Sequence, residues 1–400
     1  MRAFDPLIAL LSEIPDPRRA EGKLYQLPYV LLFAILAVVT GGNSYRAIKT
    51  FIAVNRDRLN AAFGLCWKRA PAHTAIRTIL HSLDPKAVEQ AFRRHAMGLL
   101  DAASDLSQRI VALDGKTLRR SFDPVRDRKA AQLLHAFDTQ AGLVLAHIDI
   151  DEKSNEIPAA QQLLGDLPLA HGTVTLDALH CQKKTFEAAA QAQVQAVVQV
   201  KDNQPTLMQQ AETACASQPP TSTDTSSNIA RNRYETRTVE VFGATHAVAS
   251  TEWKPLIKTI VRVNRKVWHR SAKTGLLSGT SDLAYYLANF AAPASHAAAA
   301  TRGHWHVENK LHYIRDVTFL EDQSRIRRNP GVFARIRSFG YNILRRNQTS
   351  TFSQDRYAAA LAGLDALLKW KLSYRSGPHY LESRCIAHGL LAEESADAGG

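Results

Sequence analysis

The sequence predicts an α/β protein: a mixed sheet with helices packed on it, preceded by a small helical region and carrying a β-rich insertion. Three observations predict it. Apolar residues recur at helical spacing through the first hundred positions. From Gln108 onward, short apolar runs alternate with helical segments in the order β-β-β-α-β-α-β. After Pro205 come further strand-like runs, and helical spacing returns near residue 300.

The helical region opens with IPDPRRAEGK from Ile14, a basic loop punctuated by prolines. The longest apolar run follows, Leu27 to Val39. It falls short of the about 20 residues that a bilayer span needs. A charged stretch precedes it and no small-residue cleavage pattern follows, which excludes a signal peptide. It reads as a buried helix that starts near Pro28 and stops at Gly41-Gly42. Ser44 opens a second amphipathic helix, Pro71 to Leu83 forms a third, and Asp84-Pro85 opens a fourth through Leu100. Two readings of this region stay open: a DNA-binding module that uses its exposed Arg and Lys, or a packing and dimerisation unit.

In the sheet region, Ile110–Asp114 is the first strand, Leu133–Asp138 the second and Gly142–Asp151 the third. KSNEIPAAQQLLGDL is a helix, Thr173–Asp177 the fourth strand, Lys183–Gln193 a helix and Ala196–Lys201 the fifth strand. Ser217–Asn228 reads as an exposed polar loop. The runs from Thr236, Ile257 and Asp282 read as strands of an insertion covering about 206–290. A last amphipathic helix follows Tyr357, and then a frayed tail. The expected units are a helical one over 1–104, a sheet-bearing one over 105–350 and a terminal extension over 351–400.

The chain has 400 residues and a formal charge of +13, an excess that favours a polyanionic partner, most simply nucleic acid. Charge alone fits a ribosomal or membrane-surface protein equally well. Four cysteines with no CxxC pair argue against a zinc finger or a disulfide framework and suit a reducing cytosol. Between Arg302 and Arg346 ten Arg/Lys stand against four Asp/Glu, and Glu308 sits among them. His304, Glu308 and Arg315 are spaced to share one helical face, and Val307, Leu311 and Ile314 to seat the helix on a core. Trp305 reads as core.

Asp114 and Asp177 each follow a buried strand, where open α/β sheets put their sites. The first and fourth strands can be neighbours, which brings the two acids together, and Glu308 approaches from its helix. Each aspartate alone reads more often as a turn or capping residue, a reading that weakens because both recur in the same strand-end context. Three converging carboxylates stay ionised only beside a cation, and oxygen ligands select Mg²⁺ or Mn²⁺ over zinc. His304, His306 and His312 have neither an HExxH frame nor a nearby cysteine to make a zinc site. His180 and Gln182 either line the site or cap the next helix. Lys116 and Arg119 either hold a DNA backbone or lie on a solvated face. Arg325, Arg327 and Arg328 form a further basic cluster for phosphates.

Five segments resemble the ISAs1 family of insertion-sequence transposases, which includes the H-repeat-associated proteins. They are ALDGKTLRRSFD from Ala112, KSNEIPAAQQLL from Lys153, TLDALHCQKK from Thr175, QVKDNQPTL from Gln199 and HWHVENKLHYIRDVTFLEDQSRIR from His304. IPDPRRAEGKLYQLPYVLLFAILAVVTGGNSYRAI resembles the amino-terminal domain found with them. The segments run in order from Ile14 to Arg346, which is more specific than any one of them. The resemblance implies a DDE transposase with an RNase H-like core, related more distantly to the IS4 group. It places the three catalytic and metal-binding acids on Asp114, Asp177 and Glu308. It implies two Mg²⁺ ions, with Mn²⁺ as a substitute, and a cytoplasmic protein without a membrane segment. DNA ends and target are the implied partners, held by a homo-oligomer in a synaptic complex. The implied chemistry is end cleavage followed by 3′-OH attack on target DNA. The family's Lys-Gly-Asn-Gln becomes Lys201, Asp202, Asn203 and Gln204 here. In the IS4-type Tyr-Arg-Glu-Lys pattern, His304 stands where Arg is usual and Arg315 where Lys is usual. Two rivals remain, a nuclease of the same fold and a non-catalytic DNA-binding relic.

Overall fold

The computed structural model describes residues 4–370 and 372, apart from 101–105, 126, 152–153, 231, 245–251 and 271–272. The helical region consists of α1 (Asp5–Ser12), α2 (Leu27–Val39), α3 (Tyr45–Phe63), α4 (His73–Ser82) and α5 (Pro85–Leu99). The sequence signals act where expected. Pro28 stands in the first turn of α2, and Gly41 turns the chain with φ +109°, a conformation that a Cβ resists. Ser44 accepts a hydrogen bond from the Ala47 N–H at the start of α3, and Asp84 accepts from the Lys86 and Ala87 N–H groups at the start of α5. The stretch Ala20–Val39 has the length and hydropathy of a membrane span. In this fold α2 is buried, with every residue from Val30 to Val39 out of solvent.

The sheet has nine strands: β1 (Ile110–Thr117), β2 (Gln132–Asp138), β3 (Leu143–Ile150), β4 (Thr173–Leu176), β5 (Gln195–Val200), β6 (Ser222–Ala230), β7 (Arg233–Gly243), β8 (Thr259–Arg270) and β9 (Leu277–Ala288). Their order across the sheet is β3-β2-β1-β4-β5-β9-β8-β7-β6. β1 to β3 form an antiparallel meander, β4 and β5 run parallel to β1, and β9 joins β5 antiparallel. The helices α6 (Glu156–Asp166) and α7 (Lys183–Gln191) supply the crossovers, and α8 (Pro205–Ser217) leads from β5 into the added strands.

Two expectations need correction here. The strands expected within 206–290 number four, not three, and they continue the same sheet through β9. Ser217–Asn228 is no loop, because most of it is α8's end and strand β6, paired with β7 along its whole length. β6 is the outer strand and none of its residues is buried. Its Ser and Thr side chains meet solvent on both faces, so no apolar alternation marks it.

After β9 the chain forms α9 (Ala294–His306), a wide π-type turn over Val307–His312, α10 (Tyr313–Val317), α11 (Pro330–Arg346) and α12 (Phe352–Leu367). α12 bends at Gly363. α11 is buried along nearly its whole length and packs against α2, α5 and β3. One continuous core therefore takes in the amino-terminal helices, the sheet and α11. The expected tail and Cys385 lie outside the described residues. Among the described residues, Cys66, Cys181 and Cys215 are free thiols.

Candidate active site

Strand register brings the two aspartates level. β1 and β4 pair in parallel from Ile110↔Thr173 to Ala112↔Thr175, and Asp114 and Asp177 each stand two residues beyond that last pair. β4 stops at Leu176, whereas β1 runs on to Thr117 beside β2. Asp114 is thus inside a strand rather than after one, at the point where its β4 neighbour has ended. That leaves the edge of β1 open beside the Asp114 carboxylate. Asp177 caps the short turn Ala178–His180, accepting from the Leu179 N–H at 3.1 Å. The residue thus caps the turn and also stands level with Asp114.

The Asp114 environment is electrostatically unusual. Burial pushes its carboxyl up to about 7, and the negative charges of Glu156, Asp177 and Glu308 add to the rise against a hydrogen bond from Gly115 N–H. Three acids therefore lie within electrostatic reach of Asp114, and two of them, Asp177 and Glu308, were chosen from sequence. Glu308 is exposed on the wide turn after α9. Among the described residues, no three His, Cys, Asp or Glu side chains close around one point as a metal cage. The donors nevertheless suit a hard divalent ion. They are carboxylate oxygens, and their mutual repulsion is what a cation relieves.

The wide turn changes the expected helix face. An i→i+5 turn breaks the 3.6-residue register, so His304, Glu308 and Arg315 do not share a face. The His304 Nδ1 lies 3.0 Å from the Thr175 hydroxyl on β4. Burial pushes its imidazole toward neutrality. Arg315 is fully buried, with hydrogen bonds to Glu321 and to the Ala334 carbonyl and its guanidinium 3.1 Å from His135 Nε2. It has no surface to offer a phosphate. Val307 and Leu311 are buried as expected, while Ile314 is half-buried. Trp305 is 50% exposed, against the expectation of a core residue.

Lys116 is likewise buried, its ammonium 2.6 Å from Asp316 and 3.6 Å from Asp322. The carboxylates of α10 and the loop after it thus fix this lysine as internal structure. Arg119 is exposed, with its Nε 3.3 Å from Asp322. Arg325, Arg327 and Arg328 are exposed, and Arg327 lies over the Phe122 ring. Lys201, Asp202 and Asn203 are exposed at the end of β5, as is Gln182 at the start of α7. Asn203 donates to the Ala178 carbonyl at 2.6 Å, and Gln204 donates to the Cys181 carbonyl at 3.0 Å. Those two amides hold the turn that carries Asp177.

The remaining histidines are dispersed. His180 is buried with its Nε2 3.8 Å from both Glu156 and Asp177. His306 Nδ1 lies 3.4 Å from the Thr139 carbonyl. His312 Nδ1 is 3.3 Å from Asp114, and burial, with Lys116 and Arg315 beside it, lowers its imidazole to about 3. A neutral ring there meets the carboxylate through one nitrogen. Glu156 and His312 are the neighbours of Asp114 to which sequence reasoning gave no place in the acid cluster. Glu156 was read only as part of a helix start, and His312 only as a failed zinc ligand.

The profile described as the transposase DDE domain matches residues 105–339, and one described as DDE_Tnp_1-associated matches residues 8–96. The chain is 32% identical over 347 residues to the putative protein YbfL of Escherichia coli K12, covering 84% of this chain and 90% of that one. It is 31% identical, with the same coverage, to the H repeat-associated putative transposase YhhI of the same strain. A cryo-EM structure of a piggyBac transposase synaptic complex with hairpin DNA aligns with a TM-score of 0.37 at 9% identity, over 95% of this chain and 82% of that one.

Proposed function

This chain belongs to the transposase DDE-domain family, and on that premise we propose that it cleaves the ends of an insertion sequence of the ISAs1 type and joins them to target DNA. The observation that carries the reading is the level placement of Asp114 and Asp177 beyond the last β1–β4 pair, with the Asp114 carboxyl raised by its burial and by the acids around it. The strand order β3-β2-β1-β4-β5 supports an RNase H-like core for residues 105–350, interrupted by the insertion at about 206–290. Residues 1–104 are then the associated helical unit and 351–400 a terminal extension.

Asp114, Asp177 and Glu308 would hold two Mg²⁺ ions, for which Mn²⁺ substitutes. Bound divalent ions supply charge neutralisation at the attacking and leaving oxygens of phosphoryl transfer. The protein's own contribution is placement. Asn203 and Gln204 hold the Asp177 turn, and His304 ties α9 to β4 through Thr175 just ahead of Glu308. Exposed Arg119, Lys201, Arg325, Arg327 and Arg328 grip phosphates, and Gln182 reaches the backbone from the start of α7. Buried Arg315 and Lys116 hold the Glu308 segment against the sheet instead. Two copies would meet in the synaptic complex, each supplying one acid set.

The test is purified protein with labelled insertion-sequence ends, target DNA and Mg²⁺. Nicking and strand joining are expected together. Nicking without joining replaces the proposal with a nuclease, and binding without either leaves a DNA-binding relic.

A further inference from the structure

Glu156 stands at the start of α6, in the helical layer on one face of β1, while Asp114 and Gly115 point to opposite faces of that strand. A Cβ built on Gly115 would lie 2.6 Å from the Glu156 Oε2 and closer still to its Oε1. The strand is bare where the carboxylate rests against it. β4 ends at Leu176, so no residue of β4 pairs with β1 beside Gly115. A second observation comes from the turn after β4. The His180 ring is 99% buried, its Nδ1 has no partner among the described residues, and its Nε2 lies 3.8 Å from both Glu156 and Asp177. One imidazole nitrogen thus marks the space between an acid of the site and an acid outside it.

We propose that Glu156 is a fourth carboxylate of the divalent-metal centre, reaching Asp114 and Asp177 across the gap that Gly115 leaves. The inference rests on the metal-dependent reading above. Four oxygen donors from β1, the turn after β4, the start of α6 and the wide turn after α9 would surround the ion from both layers of the fold. A bland alternative exists for Glu156, since an acid in the first turn of a helix also complements the helix dipole. The two roles have different consequences. A dipole partner stabilises the metal-free protein. A fourth like charge in a crowded site destabilises it until a cation arrives.

The experiment titrates Mn²⁺ into the full chain and follows the free ion by electron paramagnetic resonance, with thermal unfolding measured alongside. Wild type, Glu156→Gln and Asp177→Asn are compared. Glu156→Gln is expected to bind Mn²⁺ at least about tenfold more weakly, while its metal-free Tm is no lower than that of wild type. Gly115→Ala places a methyl where the carboxylate lies and is expected to show the same loss with Glu156 chemically intact. Wild-type affinity in both variants, with affinity lost in Asp177→Asn, overturns the role of Glu156 alone. No Mn²⁺ binding by wild type overturns the metal centre itself and this inference with it.

Discussion

Arg315 and Glu321 face each other inside the protein with two hydrogen bonds of 2.7 Å between them, and neither side chain reaches solvent. The pair closes the loop between α10 and α11 and so anchors the segment that carries Glu308. Arg315→Ala leaves a buried carboxylate with Arg337 alone, at 3.4 Å, and should destabilise the fold by about 3 kcal/mol. Urea unfolding checks this. Unchanged stability with weaker DNA binding would return Arg315 to the surface.

The same chemistry predicts a response to acid. Burial alone would raise the Glu321 carboxyl, but Arg315 and Arg337 outweigh it and hold it at about 2, below its ordinary 4.5. Glu89 behaves alike, held at about 2 by His147 and Arg335 against its burial. A depressed folded-state value contributes stability that is complete above the unfolded value and lost as pH falls toward the folded one. Tm should therefore fall between about pH 5 and about pH 2. The fall should shrink in Glu89→Gln and Glu321→Gln, each compared with its own Tm at neutral pH. An equal fall in both variants would place the acid sensitivity elsewhere.

Affinity for non-specific duplex should drop steeply with salt, as Lys and Arg displace counterions from phosphates. Replacing Arg325, Arg327 and Arg328 together by Ala should flatten that dependence. A slope equal to wild type would mean that this exposed cluster does not meet DNA.

Asp177→Asn keeps the shape of the cap but removes one charge. The variant should fold, and should bind DNA at least as tightly because less negative charge opposes the phosphates. Its cleavage should fall by about three orders of magnitude or more, and adding Asp114→Asn or Glu308→Gln should cost little further. Near-normal cleavage by folded Asp177→Asn would leave this residue as a turn cap only.

Asn203→Ala separates holding from chemistry. Losing its 2.6 Å hydrogen bond to the Ala178 carbonyl should lower stability by about 1 kcal/mol. Cleavage should fall much further than DNA affinity, because the Asp177 turn loosens. Parallel losses of both would make Asn203 a DNA contact instead.

Runs ending in an acid recur in this chain at Asp138 and Asp151 as well, and what singled out Asp114 and Asp177 was that the first and fourth strands can be sheet neighbours, as β1 and β4 are. The open edge beside Asp114 was not legible in the sequence, since it depends on β4 stopping while β1 continues with β2. The wide turn at Val307–His312 was equally hidden. Reading that segment at ideal helical spacing put Arg315 beside Glu308, and one turn of different pitch sent it into the core. β6 gave no signal because neither of its faces is buried. Glu156 was visible as a letter, but only the bareness of Gly115 on the neighbouring strand gives it a direction.

Glu89 on α5 bonds both His147 on β3 and Arg335 on α11, all three buried. The helices at one end of the chain and the strands of the sheet are thereby cast as a single tool. DNA seated on the amino-terminal helices would meet the acids at a fixed bearing, with no swivel between grip and blade. A truncation at residue 104 would strip α11 of its cover and expose an apolar flank, so the sheet-bearing part should not survive as a soluble fragment. Exchange of the first five helices between related chains would then have to carry α11 along with them.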